Sequence, residues 1–194
     1  TIATAPGVGK KMAEKIIDFI SGKEVNATPE EVEAVQVFAK SLVNDYNYPK
    51  ELIQTRPQFR VKARPSDTTK EYPVDIAVFS DTTKDDDSLY IIVECKKKNR
   101  EDGKTQLQDY MRLSKAFLGV WFNGEERLFL HKIEKDGKVY FEDIPNIPQY
   151  KQRLEDIGKY QRKNLVKAHN LKTTFKAIRN YLAANTVGAT RDEV

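Results

Sequence analysis

The stretch Leu89-Tyr-Ile-Ile-Val-Glu-Cys-Lys96 constrains the fold of this chain more than any other. Strand side chains alternate between faces, so a strand apolar at consecutive positions must be covered on both sides. Tyr90-Ile91-Ile92-Val93 therefore reads as a central strand between two layers, and the charges at its end belong at the rim of a cleft. Helices on either side of it in sequence can supply the layers. One opens at Thr28, with Pro29 at the first helical position and Glu31 three residues after Thr28, the capping-box spacing. Val32, Val35, Ala39, Leu42, Val43 and Tyr46 then form one apolar stripe down to the stop at Tyr48-Pro49. The other follows the Gly103 break, with Gln106, Tyr110, Leu113 and Phe117 spaced to share a face.

Between and after these helices the signals are those of strands. Leu52–Val61 is mixed, Val74–Phe79 alternates, and the polar run Asp81–Ser88 reads as a hairpin loop before Leu89. Gly119–Phe122, Arg127–Ile133 and Val139–Ile144 read as three more strands, joined at the turn dipeptides Asn123-Gly124 and Asp136-Gly137. The expected order is α-β-β-β-α-β-β-β. Upstream, Pro6-Gly-Val-Gly runs into a predicted helix with Met12, Ile16, Phe19 and Ile20 at helical spacing. That stretch is similar to the second half of a helix-hairpin-helix, whose turn amides meet a DNA phosphate; a plain N-terminal helix is the alternative. Beyond Pro145 and Pro148 the tail again reads as helix, with Leu171, Phe175, Ile178 and Leu182 on one face.

The 39% hydrophobic content over 194 residues is enough for a buried core. The single cysteine, Cys95, excludes a disulfide within the chain and suits a reducing, cytoplasmic setting. No apolar run approaches the roughly 20 residues of a membrane helix, which implies a soluble protein. The net charge of +4 is unevenly spread: residues 151–194 hold ten Lys and Arg against four Asp and Glu, leaving 23 against 25 before them. The basic tail suits either a phosphate backbone or a solvated helix surface.

Chemistry concentrates where the central strand ends. Glu94 and Lys96 emerge on one face while Val93 and Cys95 point the other way. Asp75 interrupts Val74-Asp75-Ile76-Ala77-Val78, and pairing of the two strands can bring it beside Glu94. Two carboxylates suit a hard cation such as Mg²⁺, which neutralises a phosphodiester and activates water. A neighbouring lysine orients or deprotonates that water, or balances developing charge; spacing does not separate these shares. An exposed Glu–Lys ion pair is the simpler alternative for Glu94 and Lys96.

Pro73-Val74-Asp75 followed by Ile91-Ile92-Val93-Glu94-Cys95-Lys96 resembles the PD-(D/E)xK nuclease signature, departing from it by the Val between Pro and Asp. Gln106-Leu-Gln-Asp-Tyr110 is similar to the Gln-x-x-x-Tyr motif of RecB-like members, which lies against their active site. Thr28-Pro-Glu-Glu-Val through Asp45-Tyr-Asn-Tyr-Pro-Lys-Glu-Leu-Ile resembles the first helix and exit of the N-terminal nuclease domain of type I restriction enzyme R subunits, and Phe122-Asn-Gly its strand end. The resemblance spans about 28–133. It implies Asp75, Glu94 and the Cys95 backbone carbonyl as ligands of Mg²⁺, with Mn²⁺ substituting, and Gln106 and Tyr110 as residues of the catalytic pocket. It further implies an acid from the first helix, Glu31, which the capping box explains equally well.

Lys97 and Lys98 suit phosphate contacts or a solvated strand end. His131 and His169 have no partners at metal-ligand spacing, and Trp121 and Phe122 read as core. There is no Gly-x-x-x-x-Gly-Lys-Ser/Thr phosphate loop. A start at Thr1 and an end in a polar stretch read as a fragment of a larger restriction enzyme. The expectation is an α/β fold: a restriction-endonuclease-like α/β/α core with a mixed central sheet over 28–148, an N-terminal helical extension over 1–27 and a C-terminal helical linker over 149–194. The expected function is metal-dependent cleavage of double-stranded DNA alongside methylase, specificity or motor partners. A repair or mobile-element nuclease of the same fold, or a silent DNA-binding or assembly module, is the alternative.

Overall fold

A computed structural model describes residues 14–63, 70–100 and 102–157. Its centre is a six-stranded sheet in the order β10-β9-β8-β7-β6-β3. The strands are β3 (Ile53–Gln54), β6 (Ile76–Phe79), β7 (Leu89–Cys95), β8 (Leu118–Phe122), β9 (Arg127–Lys135) and β10 (Lys138–Asp143). All neighbours are antiparallel except β7 and β8. That parallel pair needs a crossover, which helix α2 (Lys104–Leu113) supplies. The sheet is therefore mixed, as expected. The β9–β10 turn has both Asp136 and Gly137 at positive φ, the backbone of a tight hairpin of matching twist.

The two faces of β7 do carry two cores. Ile91, Val93 and Cys95 pack with Phe38, Ala39 and Leu42 of α1 (Gln36–Asn44). Ile92 packs on the other side with Leu107 and Met111 of α2. Gly119 lets α2 approach closely, because a Cβ there would lie 2.2 Å from the Met111 Sδ. The result is a helix–sheet–helix sandwich, with a small antiparallel pair, β4 (Arg60–Lys62) and β5 (Glu71–Pro73), beside the second core.

Three expectations need correction. Residues 15–20 are not helical: β1 (Lys15–Ile17) and β2 (Glu24–Asn26) form a hairpin. The Asp18 side chain explains why, since its Oδ1 accepts from the Ser21 N–H at 2.7 Å and the backbone then turns back through Gly22 at φ +71. Asp18 is fully buried while Ile17 is 62% exposed, and Ile16, Phe19 and Ile20 of the predicted face are half-buried. The Pro6-Gly-Val-Gly turn lies outside the described residues.

Second, the Thr28 cap forms, with its Oγ1 accepting from the Glu31 N–H at 3.1 Å, but the helix then makes a π turn over Glu31–Val35 before α1. The wider turn rotates the stripe, leaving Val32 43% exposed and burying Glu31. Third, the core face of α2 is Leu107, Tyr110 and Met111, with Leu113 and Phe117 partly exposed. Ile147 and Tyr150 still pack on the first core, and the Tyr150 N–H donates to the Tyr46 carbonyl at 2.8 Å, so the chain stays attached past residue 148. Described residues 149–157 hold one short 3₁₀ turn, Leu154–Asp156; the remainder of the predicted C-terminal helices lies outside the described residues.

Candidate functional site

β6 and β7 are paired with Ile76 opposite Val93, so the next residue out, Asp75, falls opposite Glu94. Asp75 extends the ladder with its side chain: Oδ2 accepts from the Cys95 N–H at 2.8 Å, and Oδ1 from the Gln58 amide at 3.3 Å. Glu94, only 2% exposed, accepts from the Lys96 ammonium at 2.5 Å. Three of the residues singled out in the sequence thus meet at one end of two adjacent strands. The Cys95 side chain turns into the opposite core, where burial pushes its thiol up.

The electrostatics are those of two acids short of compensation. Burial pushes Glu94 up to about 7, and the Asp75 charge adds to the shift. Burial likewise raises Asp75, against the Cys95 N–H and the Lys96 charge, which favour its anion. Burial disfavours the Lys96 ammonium, but the hydrogen bond and charge of Glu94 outweigh it and hold Lys96 above its ordinary value. Lys96 therefore stays an ammonium.

Gly103 closes over this group. A Cβ there would stand 2.8 Å from the Lys96 Cε and 3.4 Å from the Glu94 Cγ, and its φ of +97 is one that glycine tolerates. From Gly103, α2 carries Gln106 and Tyr110, whose amide and hydroxyl bond each other at 2.6 Å. Burial raises the Tyr110 phenol, and Gln106 and Tyr110 line a cavity of about 590 Å³ with Tyr72, Asp109 and Arg112, whereas Asp75 lines another. Tyr72 stacks on Tyr110 with ring centroids 5.7 Å apart.

The first helix brings two adjacent acids with different surroundings. The Glu31 carboxylate is held by Arg56 and by the Gln36 amide at 2.9 Å. Glu30 has neither partner, and its charge acts on Asp75, Glu94 and Lys96. Both line a cavity of about 470 Å³ with Arg56, Gln58 and Asp75. Glu30, Arg56, Gln58 and Gly103 were not singled out as site residues. Pro-Glu-Glu offers two acids, and only the π turn decides which is turned away; Gly103 was visible as a break but not as a close approach.

No three His, Cys, Asp or Glu side chains converge as a ready metal cage among the described residues. Mg²⁺ is ordinarily held by one or two carboxylates together with water and substrate oxygens, so Asp75 and Glu94 are a fitting donor pair. Elsewhere, Lys98 pairs with Glu125 on the surface, Trp121 and Phe122 are core, and His131 lies against Phe117 and Glu142. His169 lies outside the described residues. No helix among the described residues is long and apolar enough to cross a membrane.

A comparison with family models matches residues 29–148 to the Type I restriction enzyme R protein N terminus (HSDR_N). No curated protein and no solved structure gives a significant match. The matched span holds the whole central sheet and both acids of the candidate site. The chain belongs to the family of type I restriction enzyme R protein N termini.

Proposed function

We propose that this domain is a Mg²⁺-dependent DNA endonuclease of a restriction system, hydrolysing phosphodiester bonds in double-stranded DNA. The observation that carries the reading is the meeting of Asp75, Glu94 and Lys96 at one end of β6 and β7. Asp75 and Glu94, with the Cys95 backbone carbonyl, are the proposed ligands of the ion, which Mn²⁺ can replace. The bound ion supplies charge neutralisation of the phosphate and acidification of water. Glu30 is the better placed helix acid, because Glu31 already answers Arg56 and Gln36.

Lys96, held as an ammonium by Glu94, donates toward the phosphate or the attacking water rather than accepting a proton. Gln106 and Tyr110, on the helix that Gly103 brings against Lys96, are the proposed further residues of the catalytic pocket. Target choice is assigned to specificity or motor partners, in keeping with the restriction-enzyme family. Mg²⁺ or Mn²⁺ titrated calorimetrically should bind the wild type and not Asp75→Ala, and Lys96→Ala should abolish plasmid nicking while keeping metal affinity. A wild type that binds no divalent ion even with DNA present would instead be a binding or assembly module.

A further inference from the structure

A cavity of about 510 Å³ runs beside the edge strand β3 and presents Lys23, Lys50 and Lys84 against the single acid Glu51, with Arg56, already paired with Glu31, also in its lining. Residues 1–150 hold fewer Lys and Arg than Asp and Glu, so three unpaired lysines to one acid is a local concentration and not a share of a generally basic surface. Two of these ammonium groups are positioned without being neutralised. Lys50 donates to the Phe19 carbonyl at 3.1 Å and stands 3.7 Å from the Phe19 ring centroid; Lys84 donates to the Ile53 carbonyl at 3.0 Å. None of Lys23, Lys50 and Lys84 pairs with a carboxylate among the described residues.

The cleft leads to the candidate centre. Gln54 is opposite Ala77, so two residues further on Arg56 comes level with Asp75. Arg56 also lines the neighbouring cavity that contains Asp75, Glu30 and Gln58. A row of unneutralised lysines leading to a phosphodiesterase centre is a track for a polyanion, offering point charges with no fixed fork for reading bases. Lysines beside an edge strand also guard against strand pairing. That role alone makes their removal cause aggregation and leaves DNA affinity unchanged.

We infer that this cleft binds the sugar-phosphate backbone of the DNA flanking the cleaved bond, through Lys23, Lys50 and Lys84, with Arg56 at the junction. The inference rests on the nuclease reading of Asp75, Glu94 and Lys96. Contacts of this kind are independent of sequence and release counterions, so their signature is the dependence of affinity on salt.

The test is fluorescence anisotropy of a labelled duplex with the full chain in EDTA, across a salt series, for the wild type, Lys23→Glu and the Lys23→Ala/Lys50→Ala/Lys84→Ala triple variant. The triple variant should bind roughly ten- to thirty-fold more weakly at moderate salt, and its slope of log affinity against log salt should fall by about 2 to 3. Lys23→Glu should lower the slope by about 1. Its side chain has no hydrogen bond or ion pair to lose, so it decides the matter alone if the triple variant unfolds. Unchanged affinity and slope, or no DNA binding by the wild type, overturns the inference. Plasmid nicking separates the two readings: nicking that needs Lys96 with an unchanged salt slope removes the cleft and keeps the nuclease. A reduced slope without any nicking keeps the cleft and removes the nuclease.

Discussion

Gly103 stands against Lys96 at a distance that only a hydrogen atom fits, and at a φ that costs an L-residue about 1–2 kcal/mol. Gly103→Ala should therefore lower stability by about that amount in urea unfolding, and lower nicking by roughly tenfold or more as Lys96 is pushed from its place. Glu94 makes the opposite trade. Its folded state favours the protonated carboxyl, so its stabilising contribution is present below its ordinary value of 4.5 and is lost as pH rises through about 7. Glu94→Gln removes a buried charge that repels Asp75. Near pH 8 it should raise the melting temperature of the metal-free protein by roughly 2–4 °C, the shift that about 1 kcal/mol produces at this size, while losing metal affinity. A lower melting temperature would mean that the lost Lys96 contact outweighs the relieved repulsion.

Among the elements, the β1–β2 hairpin is tied to the sandwich through the buried Asp18, alongside the bonds of the Phe19 N–H to Gln36 and of Lys50 to the Phe19 carbonyl. Asp18 accepts from the Thr55 hydroxyl at 2.6 Å and from the Gln36 amide at 2.7 Å, and Gln36 in turn reaches Glu31. Burial alone would raise Asp18, but its hydrogen bonds from Thr55, Ser21 and Gln36 together hold it below its ordinary value. Its contribution is thus present above pH 3.8 and lost as pH falls through the lowered value. Asp18→Ala orphans two buried donors and should cost about 2–4 kcal/mol at neutral pH in denaturant unfolding. The deficit relative to wild type should shrink in acid; a deficit independent of pH would mean that packing, not charge, is lost. This hairpin is also the element least legible in the sequence. Ile16, Phe19 and Ile20 fit a helical stripe, and nothing local reveals that Asp18 has distant partners at Gln36 and Thr55. The strands from Val74 to Asp143 were legible because their alternation, β-branched content and turn dipeptides are local signals of what the sheet requires.

For the whole molecule, the doubly apolar strand β7 dictates the two layers, and the register of β6 against it assembles the acids. Those relations follow from pattern and pairing, which is why the meeting of Asp75, Glu94 and Lys96 is legible in the sequence. The difference between Glu30 and Glu31 could not, since it depends on the pitch of one turn. Saturating Mg²⁺ should stabilise the entire sandwich, by about 2.7 kcal/mol at a hundredfold excess over its Kd, and leave Asp75→Ala unmoved. Equal stabilisation of both would place the ion elsewhere. The π turn at Glu31–Val35 also bears on descent. It holds one residue more than an α-helical turn, and each residue of an α-helix advances the phase by about 100°. Losing a single codon there would turn Thr28–Glu30 by that angle against the rest of the helix. A lineage could thus exchange which acid looks inward without substituting either, and column-by-column comparison of kin would register that exchange as a gap.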